Sequence, residues 1–299
     1  MDALRSFAPG ALSVDAFRLL APTERDARVA AARQPAAIEE AALQLREAAM
    51  HAGIRAYFDA QARDPARRGR QEARDLRTRY GMGFVDSDIY PRVMRLLRQV
   101  DIGQRLSAED VVWLSTQGEE SWTPKLHIAH HRLEAVAFTD DWHRTGDPWA
   151  AVSASGHWRK ADDAKEALDV TEAALATKSP SPKLCSALKT THGGAMRDLR
   201  RLTEARDLGQ DAQRLAPTDF RPCTLLGAVH MELGEFSTGQ EWYEKAENLG
   251  AKRHSIDRDL PGILARAAPD RRAKLCAYLR SQDEHRFAWV REFDHRQTK

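Results

Sequence analysis

One pattern constrains this chain more than any other: a pair of small residues, seven apart, that returns in phase along the sequence. Ala167 and Ala174 form the first pair, Ala205 and Ala212 the second, Gly239 and Ala246 the third, at steps of 38 and then 34 residues. Seven residues are two helical turns, so each pair marks one line on a helix where a neighbour must come close. The last unit, Phe220 to Ala251, is the fullest. It predicts one amphipathic helix over about Phe220–Leu233 and a second over about Ser237–Leu249. Gly234 and Glu235 form the tight turn between them, and Gly250 supplies a left-handed C-cap. Gly227, Ala228, Gly239 and Ala246 stand where the two helices must touch, while Leu226, Phe236, Trp242 and Tyr243 fill the space around them. One unit back, Pro217 takes the place of Ala251, and two units back Trp158 holds the aromatic place on the first helix. The longer step is assigned to an extended insert, Ser179-Pro180-Ser181-Pro182.

The third unit resembles a tetratricopeptide repeat, whose pattern is W-x2-L-G-x2-Y, then A-x3-F, then P. Leu226-Gly227 matches the L-G pair and Tyr243 the F. Cys223 stands for the Trp, His230 for the Tyr, Gly239 for the Ala and Ala251 for the Pro, each keeping size class or contact role. With three units in phase, the resemblance covers about Pro148 to Ala251. It implies an all-α fold in which no single unit buries its apolar face alone, so the units stack and need a closing element. The expected organisation is a helical region over 1–146, three repeats over 147–254 and a helical cap over 255–299, where Phe287, Trp289 and Phe293 give the tail an apolar face.

Composition excludes several classes. Of the 299 residues, 42% are hydrophobic and 30% charged, with no apolar run of membrane-spanning length and no basic leader before an apolar core, so a membrane partner is not expected. Three scattered cysteines, Cys185, Cys223 and Cys276, fit a reduced, cytoplasmic protein. The Ala-, Arg- and Asp-rich composition suggests a bacterial source. A net charge of +2 favours neither nucleic acid nor membrane by itself.

Before the repeats, the sequence predicts short helices over Ser13–Leu20 and Thr23–Arg33, then a long one from Pro35 to about Ala62. In the basic run Arg63–Arg79, which holds Arg67, Arg68, Arg70 and Arg74, Pro65 and Gly69 predict a loop before a short helix, exposed to solvent. Helices follow over Ile89–Val100, after Ser107, and from Thr123-Pro124 to about His143. Beyond the repeats, Ser255 is expected to cap a helix interrupted at Pro261-Gly262, and Asp270 to cap another through Leu279.

Each chemical motif has an ordinary explanation beside it. His127, His130, His131 and Glu134 have metal-like spacing but lack the H-E-x-x-H order and a clear third and fourth ligand, so a partly exposed helix of polar histidines is expected, with no metal and no cofactor. Gly81-Met-Gly83 and His192-Gly193-Gly194 lack the lysine ending of a phosphate loop, and Gly193 falls where the repeat needs a small residue. The basic run has no interleaved aromatics and reads first as a solvated face.

The resemblance places functional residues on the first helix of each repeat: Trp149, Val152, Arg159 and Lys160; then Thr190, Arg197 and Asp198; then Arg221, Thr224, Met231 and Glu232. The positions of the family's Lys/Asn carboxylate clamp hold Val152, Gly156, Thr190, Gly194, Thr224 and Ala228, so a clamp of that type is not expected. Basic residues outnumber acids on the face, which favours an acidic peptide or partner helix, with Trp149 or Met231 as apolar anchor. The expected function is a non-catalytic protein–protein scaffold or adaptor. The alternatives are a nucleic-acid-associated protein using Arg63–Arg79 and an enzyme with its site in the 80–134 region.

Overall fold

The computed structural model describes residues 5, 7, 9–177 and 181–294; Ser179 and Pro180 of the expected insert lie outside them, while Ser181 caps the helix that Pro182 opens. The described residues are all-α, without a strand, and none of their helices is long and apolar enough to cross a membrane. The chain divides into two compact units, 1–74 and 75–299.

The first unit is dominated by helix α1, Val14–Arg63, opened by Ser13, whose hydroxyl accepts from the Ala16 N–H. The expected breaks at Thr23 and Pro35 are absent, because Pro22 and Pro35 lie inside one continuous helix. Thr23 does not cap; its hydroxyl bonds back to the Leu19 carbonyl. Proline removes one backbone bond at each place, but alanines flank both sites and favour helix more than any other residue. Helix α2, Pro65–Arg79, also differs from expectation: there is no loop at Gly69. Asp64 accepts from the Ala66 N–H, so Asp64-Pro65 is a cap followed by proline in the first helical position, where its missing N–H costs nothing. Arg67, Arg68, Arg70 and Arg74 are exposed on this helix.

In the second unit α3 is Tyr90–Asp101, α4 Ala108–Leu114 and α5 Pro124–Thr145. Ser107 and Thr123 cap α4 and α5 through their side chains, as their sequence positions predict. Three helix pairs follow: α6 Pro148–Lys160 with α7 Ala164–Leu175, α8 Pro182–Asp198 with α9 Leu202–Leu215, and α10 Phe220–Leu233 with α11 Phe236–Asn248. Consecutive helices pack in series, and the first helices also touch one another, α6 on α8 and α8 on α10.

The backbone repeats with the sequence. Asp162, Arg200 and Gly234 turn each pair, all three at positive φ (61°, 66° and 91°), and they stand 38 and 34 residues apart. Only the last is the glycine this conformation favours. Ala167, Ala174, Ala205, Ala212 and Ala246 are each 0% exposed. At Gly239 an added Cβ would stand 3.0 Å from the Gly227 carbonyl oxygen and 3.1 Å from the Met231 nitrogen, so backbone meets backbone there.

The end of the chain differs from expectation. Helix α12, Arg253–Arg266, runs through Pro261 without a break; it starts after Lys252, with Ser255 inside its first turn. Helix α13, Pro269–Gln282, follows Ala268, with Asp270 in its first turn and not at the cap. Proline at the start of α13 sets its φ in advance, which leaves no need for an aspartate cap. Helix α12 packs on α10 as α10 packs on α8, so it extends the row of first helices. Phe287 and Val290 bury themselves on Cys276 and Leu279, and α14, Arg291–Asp294, ends the described chain.

A Cβ on Gly227 would come within 2.5 Å of the Tyr243 ring. Gly227→Leu is therefore expected to destabilise the second unit by at least the overpacking cost of about 1–3 kcal/mol. A thermal melt of parent and variant checks this; equal midpoints would contradict close packing of α10 on α11.

Candidate functional site: a cavity along the first helices

The first helices are joined by an ion pair that repeats with the fold. Arg159 Nε donates to Asp198 Oδ2 at 2.6 Å, and Arg197 Nε donates to Glu232 Oε1 at 2.8 Å. Arg159 and Arg197 hold the same place in successive repeats, and so do Asp198 and Glu232. Gly194 makes room for the first pair, since a Cβ there would overlap the Arg159 guanidinium.

The second pair is buried, with Arg197 6% and Glu232 3% exposed. Glu232 also accepts from Arg266 at 2.9 Å and pairs with Arg200, while Arg271 donates to its backbone carbonyl at 2.6 Å. Arg197 Nη2 faces Asp259 Oδ2 at 2.9 Å. Burial pushes the Glu232 carboxyl up, but Arg197 and Arg266 outweigh it and hold it below the usual carboxylate range. Burial likewise opposes the charge on Arg197, and Asp259 and Glu232 more than restore it. Removing one partner from such a cluster leaves a buried charge uncompensated.

Beside this network lies a cavity of about 570 Å3, between α8, α10, α11 and α12. Its charged lining is Arg159, Arg197, Arg221 and Lys252 against Asp259. Phe220, Leu225 and Ile256 give it apolar wall, and Tyr243 closes its inner side. Arg221 is exposed, 3.3 Å from its own Asp219, and stacks over Phe220 at 5.0 Å. Lys252 is exposed at the mouth.

The cavity thus brings together Arg159, Arg197 and Arg221 of the expected face, with Thr190 and Thr224. It does not include the others. Lys160 lines a neighbouring hollow with Asp162 and Asp163, and Trp149 is 44% exposed at the start of α6. Met231 is 1% exposed and packs against Gly239, so it is core and not an open anchor; the reason is that the Arg159 and Arg197 position turns inward once α11 closes over α10. Sequence reading missed Tyr243, Lys252 and Asp259. Lys252 is the residue just before α12, inside the range assigned to the repeats, and Asp259 is on α12, which the sequence assigned to the cap. Tyr243 was read as packing only.

The histidines form a second cluster, and here expectation is corrected. His130, His131 and Glu134 are buried, 4%, 8% and 8% exposed, because α6 covers this side of α5. Three imidazoles make a chain: His131 Nε2 to His127 Nε2 at 3.1 Å and His131 Nδ1 to His157 Nδ1 at 2.9 Å. Because His131 uses opposite ring nitrogens, no single point is faced by all three. Among the described residues no group of three His, Cys, Asp or Glu is placed to hold a metal ion. Glu134 is engaged by Arg105 at 2.9 Å. Burial, then neighbouring cations, lowers His131 from 6.5 to about 3 and His157 from 6.5 to about 4. In the 80–134 region, the hollow at Gly81–Asp86, Glu120 and Thr123 is about 90 Å3.

Two outcomes follow. Glu232→Gln is expected to destabilise the second unit by about 3–5 kcal/mol, read by urea unfolding. Between the folded values of about 3 to 4 and the unfolded value of 6.5, the unfolded chain binds more protons at His131 and His157. Their contribution is therefore full above pH 6.5 and falls as the pH drops. Unfolding curves across this range should show the loss, and His131→Leu should flatten it.

No family model matches this chain, and no curated protein sequence matches it.

Proposed function

We propose that residues 148–251 are a tetratricopeptide-like recognition module, and that the protein is a non-catalytic adaptor whose first helices take an acidic peptide or partner helix. The observation that supports this most is the cavity lined by four cations and one carboxylate, set against three helix pairs with the same turn in the same register. The inner arginines, Arg159 and Arg197, already hold Asp198 and Glu232, so their work is structural. Contact with a partner falls to Arg221 and Lys252 at the mouth, where exposed charge sets orientation and on-rate more than affinity.

The test is fluorescence anisotropy with a short labelled peptide of alternating Glu and Ala, beside a Lys and Ala control. The acidic peptide is expected to bind in a salt-sensitive way, and Arg221→Glu with Lys252→Glu to weaken it about tenfold or more, near 1.4 kcal/mol, with circular dichroism unchanged. Equal binding of both peptides, or an unaffected double variant, would overturn the reading.

A second reading rests on Arg67, Arg68 and Arg70, exposed on one helix with no acid paired to them among the described residues. If that helix binds phosphates, a labelled duplex should be retained at low salt and released steeply as salt rises.

A further inference from the structure

We propose that the cavity is a receptor for a single aliphatic carboxylate, with the Tyr243 hydroxyl as its innermost donor. This deepens the reading above and rests on it for the source of the group, a glutamate side chain of the bound peptide.

The Tyr243 side chain lines the cavity and is 4% exposed, and its buried hydroxyl has no hydrogen-bond partner among the described residues. A buried phenol without a partner is a cost that phenylalanine would avoid. The ring cannot withdraw, because it is seated against Gly227. Burial, then the charge of Asp259, raises its pKa, so the group is a proton donor at neutral pH. Arg197 Nη2 is buried on the same wall and is held by charge. It lies 2.9 Å from Asp259 Oδ2 but makes no aligned hydrogen bond.

Of the other hydroxyls on the wall, Ser255 is exposed on the first turn of α12, and the two threonines do not compete as donors. Thr190 donates to the Ser186 carbonyl and Thr224 to the Arg221 carbonyl, each at 2.7 Å. Lys252 stands at the mouth with no acid paired to it among the described residues, ahead of the first turn of α12, which no side chain caps. These groups place positive potential at the entrance and one unfilled donor, the Tyr243 hydroxyl, at the inner end beside the Arg197–Asp259 pair. Between them the apolar wall suits methylene groups and disfavours a small, fully hydrated anion.

Asp259 sets the limit. Its carboxylate also lines the cavity, and Arg197 offsets its charge. One further negative charge can be met by Lys252 and Arg221; a phosphate dianion would meet repulsion that these exposed groups do not balance.

The experiment uses the full chain and three probes: the acidic peptide, butyrate and inorganic phosphate, each read by calorimetric titration. Butyrate is expected to bind weakly and to compete with the peptide, and phosphate to do neither. Tyr243→Phe should weaken the peptide and butyrate about tenfold, while its melting temperature without ligand stays equal to the parent's or rises. A fall in both affinity and melting temperature would mean that the hydroxyl serves folding, and would overturn the proposal. If Tyr243→Phe does not fold, Lys252→Ala carries the same binding test from the mouth, and undiminished butyrate binding there would overturn it.

The two readings fail separately. Peptide binding that Tyr243→Phe leaves unchanged removes the carboxylate receptor and keeps the adaptor. Butyrate binding without peptide binding, sensitive to Tyr243→Phe, keeps the receptor and removes the adaptor. Binding of neither probe, or of phosphate in preference, overturns the receptor.

Discussion

Close backbone approach is the constraint on which the second unit depends. At Gly239, helix α11 comes near enough to α10 that a single added carbon would meet a carbonyl oxygen at 3.0 Å. Each equivalent place is an alanine with no exposed surface. Helices this near exclude water along their whole contact and gain dispersion on both sides, while a larger residue would force them apart. Gly193 and Gly209 carry the same condition from one pair to the next, because Leu225 and Leu226 of α10 occupy the space that their side chains would take. The apolar core lies in two clusters that both include residues of α10, one from Ala135 on α5 to Val229 and one from Cys223 to Val290.

Charge acts on top of this packing. The Arg159–Asp198 and Arg197–Glu232 pairs link neighbouring first helices, and Glu232 gathers Arg200 and Arg266 as well. Buried ion pairs of this kind contribute little net stability against an apolar replacement, yet they are costly to break. What they fix is register: Arg197 reaches Glu232 only if α8 and α10 are not slipped by a turn. The same fixing leaves the Arg197 head and the Tyr243 hydroxyl at the cavity wall. Packing that is tight at Gly227 therefore holds in place a Tyr243 hydroxyl without a partner among the described residues. Local unsatisfied polarity inside a well-packed core is where binding sites are most often found.

Much of this was legible in the sequence. The in-phase small residues placed three helix pairs, and the turns at Asp162, Arg200 and Gly234 fall at the same steps. The caps at Ser107 and Thr123 were also legible, since capping needs only a hydroxyl and the next few N–H groups. Prolines were read less well. Pro35 was expected to open a new helix and Pro261 to interrupt one, and each lies inside a helix. A proline removes one hydrogen bond, and its neighbours decide whether the helix survives that loss. Of the site, Arg159, Arg197 and Arg221 were on the expected face, but the sequence did not say that two of them would be occupied by acids.

The sequence by itself determined the period, the helical state and the small-residue lines along which helices meet, because these depend on residues a few places apart on one helix. Only the tertiary structure decided which charges remain available and which residues close the cavity. Met231 turns into the core, His131 is enclosed between His127 and His157, and Asp259 arrives from a helix that sequence assigned to the cap. Burial and pairing depend on what the rest of the chain brings to a side chain from tens of residues away, and no local pattern encodes that.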